Sequence, residues 1–214
     1  MNPLLTPEKI YKMNEENLSS KELLLCSVKD LKEDWSREEI LSLLKEDWEN
    51  FGRTGEVRYG KRRIPLSEPF WNGLKDNLNQ DSIKESCRML FGLIVKRTDI
   101  RVFPTDERSM STPHHDEFDR FQHSSISPGS PIGIYHFSKD KEWAYVQTHF
   151  IRGWVGMHDL AIAKEKGEVV DEGEAKDRLV VTGNFVNVFG DPTLRQPLFL
   201  AQMGDSFPLL SIPG

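Results

Sequence analysis

Two cysteines and one histidine-rich stretch are the residues whose types could support chemistry beyond packing. Cys26 sits in Leu23-Leu24-Leu25-Cys26-Ser27 and Cys87 in Glu85-Ser86-Cys87-Arg88-Met89. Neither has a Cys or His nearby at metal-ligand spacing, and two cysteines are too few for a disulfide scaffold. Both read as small buried apolar residues, Cys26 on a helix. Pro113-His114-His115-Asp116-Glu117, with His123 a few residues on, offers zinc-type ligands. Adjacent side chains of an extended chain point to opposite sides, and no helical frame fixes these. The stretch is therefore read as a solvated polar loop, and no metal or other cofactor is expected. Arg53, Arg58, Lys61, Arg62 and Arg63 could meet phosphate-rich polymers or nucleic acid. The acids Glu46, Asp47, Glu49 and Glu56 lie close by, which favours a loop of paired surface charges and no nucleic-acid partner.

The 214 residues leave room for one large or two small domains. Hydrophobic residues make up 37% and charged residues 29%, an ordinary globular balance. A net charge of −6 argues against phosphate binding over the whole surface. No segment approaches the roughly 20 apolar residues of a membrane helix, and the expectation is that a secretion signal is absent from the chain or was removed from it.

The elements that would position these residues fall into two textures. The first third is helical. Thr6 before Pro7 and Glu8 is a helix start. Ser19-Ser20-Lys21-Glu22 and Ser36-Arg37-Glu38-Glu39 fit the capping-box pattern. Ile40, Leu41, Leu44 and Trp48 then recur at helical spacing, and Ile83, Cys87 and Leu90 mark another short helix. The stretch 51–67 is irregular. From about Leu93 short β-prone runs take over: 93–95, 100–103, 132–137, 143–150 and 153–155. Ser138-Lys139-Asp140-Lys141 reads as a hairpin loop and 104–128 as one long loop. The many short strands and close turns suggest a small, strongly bent barrel. In it Ile100 and Val102 would point inward, and Arg101 and Phe103 outward. A charged connector follows, then β runs at 179–182, 185–188, 198–201 and 208–210. These supply strands for about half a barrel, with open edges.

Lys96-Arg97-Thr98-Asp99-Ile100-Arg101-Val102-Phe103-Pro104-Thr105, then Phe118-Asp119-Arg120-Phe121-Gln122, His136-Phe137-Ser138-Lys139-Asp140-Lys141-Glu142-Trp143 and Gly153-Trp154-Val155 agree in order and approximate spacing with a known pattern. Together they resemble the first bacterial SH3 domain of NlpC-family peptidases, which cut peptidoglycan stem peptides. The helical front, with Leu4-Leu5-Thr6-Pro7-Glu8, Asn72 and the Asn77 to Asn79 stretch, resembles that family's stabilising amino-terminal region. Val181-Thr182-Gly183-Asn184-Phe185 onward is similar to the opening of its second SH3 domain. The implied fold class is mainly β with a helical amino-terminal part and SH3-like small barrels. The implied divisions are 1–92 for the stabilising region, 93–163 for the first barrel, 164–178 for the connector and 179–214 for the start of a second barrel.

The family's Asp-Cys-Ser-Gly nucleophile context matches neither Cys26 nor Cys87, so no catalytic residue carries over and the chain alone is expected not to be an enzyme. The resemblance implies that the first barrel lines a peptidase substrate cleft. Candidate ligand-binding residues are Tyr135, His136, Phe118, Asp119 and Trp143. For Phe118 and Trp143 a core or loop-bracing role is preferred, while strand alternation sends one of Tyr135 and His136 outward. Expected partners are peptidoglycan or its stem peptides and a catalytic NlpC-type domain, in the same chain or supplied in trans, at the cell envelope. The alternatives are a stand-alone module binding protein segments and a subunit completed by a separate peptidase domain.

Overall fold

Local capping chemistry sets the helices of the computed structural model, which describes residues 5–20, 25–53, 55–114, 117–174 and 177–209. Thr6 caps helix α1 (Pro7–Ser19), which buries none of its residues. Strand β1 (Asp34–Ser36) leads into helix α2 (Arg37–Phe51) through a full capping box: the Ser36 hydroxyl accepts from Glu39 N, and the Glu39 carboxylate accepts from Ser36 N. Two first-turn donors are thereby satisfied reciprocally. Ile40 and Leu44 are fully buried on the face the sequence indicates. The other proposed box differs: Ser20 closes α1 with its N–H on Asn17 O, while Lys21 and Glu22 lie outside the described residues. Helix α3 (Glu68–Asn77) has no counterpart in the sequence reading. Its signals are Ser67, which accepts from Phe70 N, and Pro69 in the first turn.

The helix expected around Cys87 is instead a 3₁₀ turn (Gln80–Ser82), then strands β2 (Ser86–Arg88) and β3 (Leu90–Ile94). Ile83, Cys87 and Leu90 fit a helical period, but a period of two governs here: Met89 and Phe91 are buried and Leu90 is exposed. β2 pairs antiparallel with β1, placing Cys87 opposite Trp35.

β3 belongs to a seven-stranded sheet with β4 (Thr98–Arg101), β5 (Gln122–Ile126), β6 (Pro131–Phe137), β7 (Trp143–Gln147), β8 (Arg152–Gly156) and β9 (Leu160–Ile162), in the order β5-β4-β8-β7-β6-β3-β9. The sheet is SH3-like but is not hydrogen-bonded into a closed barrel. β5 falls inside the segment read as one long loop. Its Gln122-His123-Ser124-Ser125 run is polar enough for an edge strand and carries no apolar alternation. The β6–β7 turn at Ser138–Lys141 is where the sequence puts it, with Lys141 at φ 65° and the Asp140 carboxylate accepting from Glu142 N and the Ser138 hydroxyl. A Cβ on Gly153 would lie 2.6 Å from Ile100 Cγ2 and 2.7 Å from Arg101 O, so only glycine lets β8 approach β4 this closely.

The apolar side chains divide into two clusters. Ile94, Ile100, Ile126, Ile132, Ile134, Val146 and Val155 fill the inside of the bent sheet. Val102, Phe103, Phe121, Tyr145 and Trp154 join Ile40, Leu44, Trp71 and Leu74 between sheet and helices. The alternation expected along 100–103 therefore fails after Ile100. Strand β4 ends at Arg101, and Val102 and Phe103 both turn into the helix-facing cluster.

The charged stretch read as a connector is helical over α4 (Lys166–Glu174), anchored by the fully buried Val169. Beyond it β10 (Arg178–Val180) pairs with β13 (Ser206–Pro208), and β11 (Phe185–Phe189) pairs with β12 (Pro197–Gln202). Arg97 ties this part to the first sheet, donating to Asp205 (2.6 Å) and Ser127 (2.7 Å).

Candidate functional site

Segments far apart in sequence meet at a cleft of about 550 Å3 between α2, the 25–35 segment and strands β5 to β8. Leu31, Trp35, Phe51 and Tyr135 form its apolar walls, and Glu46, Asp47, Asn50, Gln147 and Arg152 supply polar groups. A mostly apolar hollow with a few convergent polar groups is the usual character of a small-ligand or peptide site.

Tyr135 is placed here by a β-bulge. The β6–β7 register shifts between Ile134 and His136, so simple alternation does not hold at this position. Its ring lies edge-on to Trp35 at 4.9 Å, and its hydroxyl donates to Gln147 Oε1 at 3.1 Å. Burial pushes the phenol up to about 12, so it remains a neutral donor.

Beneath it sits an ionic network. Arg152 donates to Asp47 Oδ1 at 2.8 Å and also meets Glu46 at 2.9 Å, and Tyr145 donates to Asp47 Oδ2 at 2.5 Å. Burial opposes the Arg152 charge, but the hydrogen bonds and negative charge of Asp47 outweigh it and raise its pKa. The Tyr145 phenol is held well above its ordinary value by burial and by Asp47.

Cys26 also lines the cleft, on irregular chain and not on the helix expected for it, its N–H bonded to His149 O. The thiol donates to Thr148 O at 3.3 Å, and burial raises its pKa. His123 shares the cleft, but its ring packs on Phe51 at 4.9 Å, and burial lowers its pKa. A protonated thiol and an imidazole engaged elsewhere do not form an activated Cys–His pair.

The other candidates from the sequence do not converge on Tyr135. His136 contacts Leu78 O at 3.2 Å and Trp154 edge-on. Phe118, for which a core or bracing role was preferred, is 80% exposed. Asp119 is half-buried: one oxygen pairs with Arg101 at 2.8 Å and the other accepts from Ser109 N and Phe121 N. Trp143, half-buried on the helix-facing cluster, borders a separate groove, where Asp119 also lies. Sequence reasoning missed Asp47, Gln147 and Arg152 as site residues. Only Asp47 carried a signal, as an acid three residues after Leu44 and seven after Ile40, on the face that α2 buries.

Of the histidine-rich stretch, His115 and Asp116 lie outside the described residues; among the described residues no three metal-ligating side chains cluster. In the basic run, Arg58 pairs with Glu56, as charge proximity suggests, while Arg53 pairs with Glu68 and Lys61 with Asp106.

The pH dependence of stability follows from these environments. His123, His136 and His149 all have pKa values pushed below 6.5 by burial. As pH falls below 6.5 the unfolded chain takes up protons that the folded chain refuses, so stability is lost. Tyr135 acts in the opposite direction. Above its ordinary value of 10.0 the unfolded chain releases a proton that the folded chain retains up to about 12, and stability falls again. Urea titrations across pH should show a loss on both sides, and His136→Gln should flatten the acidic limb.

No curated protein matches the sequence. The SH3 domain family of the SH3b1 type matches residues 111–156. A solved structure described as a novel NlpC/P60 endopeptidase from Photobacterium damselae subsp. piscicida superposes with a TM-score of 0.71 at 17% identity. The alignment covers 96% of this chain and 47% of that one, so the chain spans about half the length of its structural relative. No helix among the described residues is long and apolar enough to cross a membrane. Residues 111–156 match the SH3b1 type of SH3 domain, within a chain whose mainly β fold is shared with about half the length of an NlpC/P60 endopeptidase.

Proposed function

We propose that this chain is a non-catalytic, substrate-framing SH3 module of a cell-wall peptidase, and that the Tyr135 cleft holds a peptidoglycan stem peptide. The observation that carries this reading is the cleft itself: about 550 Å3, apolar on Trp35, Phe51 and Tyr135, with the polar side chains of Gln147, Asn50 and Glu46 in its lining. The SH3b1 match and the NlpC/P60 structural neighbour supply the cell-wall context. The chemistry would come from an NlpC-type catalytic domain, in cis or in trans, at the cell envelope. The four-part division at 1–92, 93–163, 164–178 and 179–214 belongs to the same reading, with α4 inside the third part.

Isothermal titration with a synthetic stem tripeptide tests it. Saturable binding is expected, weakened about 2- to 10-fold in Tyr135→Phe, the range for one neutral hydrogen bond. Melting curves establish that the variant stays folded. A folded wild-type chain that ignores the peptide, yet retains one stoichiometric protein partner in a pull-down, would replace this reading with a protein-interaction module.

A further inference from the structure

A second groove, sharing no lining residue with the Tyr135 cleft, runs along Asp119 and Trp143, two of the residues that the sequence singled out. It consists of two hollows, of about 580 and about 320 Å3, that share Trp143 and Asp106. We propose that this groove binds a neutral sugar chain, so that the module holds the glycan of the wall as well as its peptide. The choice of a wall glycan rests on the function proposed above; the groove and its chemistry stand apart from the cleft.

The lining has the chemistry a pyranose requires. A sugar ring presents an apolar C–H face and a rim of hydroxyls. Half-buried Trp143, with Phe70 nearby, offers flat apolar surface for the face. Asp106, Lys139 and Gln122 offer acceptors and donors for the rim.

Charge pairing decides for a neutral ligand. Lys139 holds Asp76 at 2.8 Å, Lys61 holds Asp106 at 2.7 Å and Arg101 holds Asp119 at 2.8 Å. Lys96 likewise holds Asp159 at 2.9 Å, while Asp99 accepts from the Gln122 amide and Asp140 from Asn77, Ser138 and Glu142 N. The acids of the lining outnumber its cations, which disfavours a phosphate polymer, and among the described residues no three metal-ligating side chains cluster to hold a cation. The groove is also pre-built. The Asn77 amide donates to Asp140 Oδ2 (2.9 Å) and Pro104 O (3.1 Å) and accepts from Asp140 N, fixing the β6–β7 turn to α3 and to the loop after β4. A site that is already rigid loses less entropy on binding.

The test is a ¹H–¹⁵N NMR titration of the whole chain with tetra-N-acetylchitotetraose and, separately, with the stem tripeptide. The sugar is expected to bind at about 1 mM or tighter and to shift the Trp143 indole and the amides of 104–106 and 139–143. Asp106→Ala and Lys139→Ala, both at well-exposed side chains, should weaken it at least 3-fold without changing the melting temperature. Trp143→Phe should retain part of the affinity. Sugar binding without peptide binding would sustain the groove and remove the peptide reading. Peptide binding with no sugar-induced shifts, or sugar shifts centred on Tyr135, would overturn the groove.

Discussion

Asp47→Ala is expected to destabilise the fold by about 3 kcal/mol, near the lower end of the range for breaking a buried ion pair by removing one partner. Asp47 is 5% exposed, lies on α2, and binds two groups from the sheet, the Arg152 guanidinium and the Tyr145 hydroxyl. Its removal leaves a guanidinium and a phenol facing a small cavity. The estimate sits low in the range because the Arg152 side chain is 23% exposed and keeps Glu46 at 2.9 Å. For a chain of this size the loss corresponds to a fall of about 6 to 12 °C in melting temperature, readable by calorimetry. Tyr145→Phe removes one hydrogen bond to a charged acceptor and should cost about 1.5 to 3 kcal/mol. In the double variant the costs should sum to less than the separate losses, because both changes act on the same carboxylate. Equal melting temperatures for wild type and Asp47→Ala would show that the network is not what binds α2 to the sheet.

The network also shows which parts of the molecule the sequence could express. The Ser36–Glu39 box is legible because its partners are three residues apart and the chemistry is local. The β6–β7 hairpin is legible because apolar runs flank a turn whose Asp140 bonds its own backbone. Strand β5 is hidden by its polar composition, and α4 by its charge and glycine content around the buried Val169. The cleft is hidden more deeply. Asp47 and Arg152 lie 105 residues apart, and Asp47 and Tyr145 lie 98 apart; no local pattern encodes such pairings. Tyr135 could be named as a candidate, but its direction depends on a bulge that strict alternation does not foresee. Motif resemblance found the SH3 domain because a close approach such as that of β8 to β4 fixes the type of one residue, Gly153, and a residue type is visible in the sequence even when its partner is distant.

Asp119 gives the sharpest separation between a ligand contact and a structural brace. If it were chiefly a ligand-binding residue, Asp119→Ala would reduce binding and leave stability nearly unchanged. The geometry predicts the reverse emphasis. Arg101, with its side chain 6% exposed, donates through Nη1 to Asp119, through Nε to Thr105 O and through Nη2 to Glu107 O. Asp119 in turn accepts from Ser109 N and Phe121 N, so the two residues close the 102–121 segment on itself. Alanine at 119 would leave the Arg101 charge buried with only carbonyl partners and two backbone donors without their acceptor. The expected cost is about 3 to 5 kcal/mol, larger than for Asp47 because neither partner here is appreciably solvated. Asp119→Asn keeps the shape and an acceptor oxygen but removes the charge, and should recover part of the loss. Hydrogen exchange should localise the damage, with the amides of Ser109 and Phe121 losing protection before those of β6 and β7. Unchanged protection at these two amides, together with an unchanged melting temperature, would return Asp119 to the list of ligand contacts.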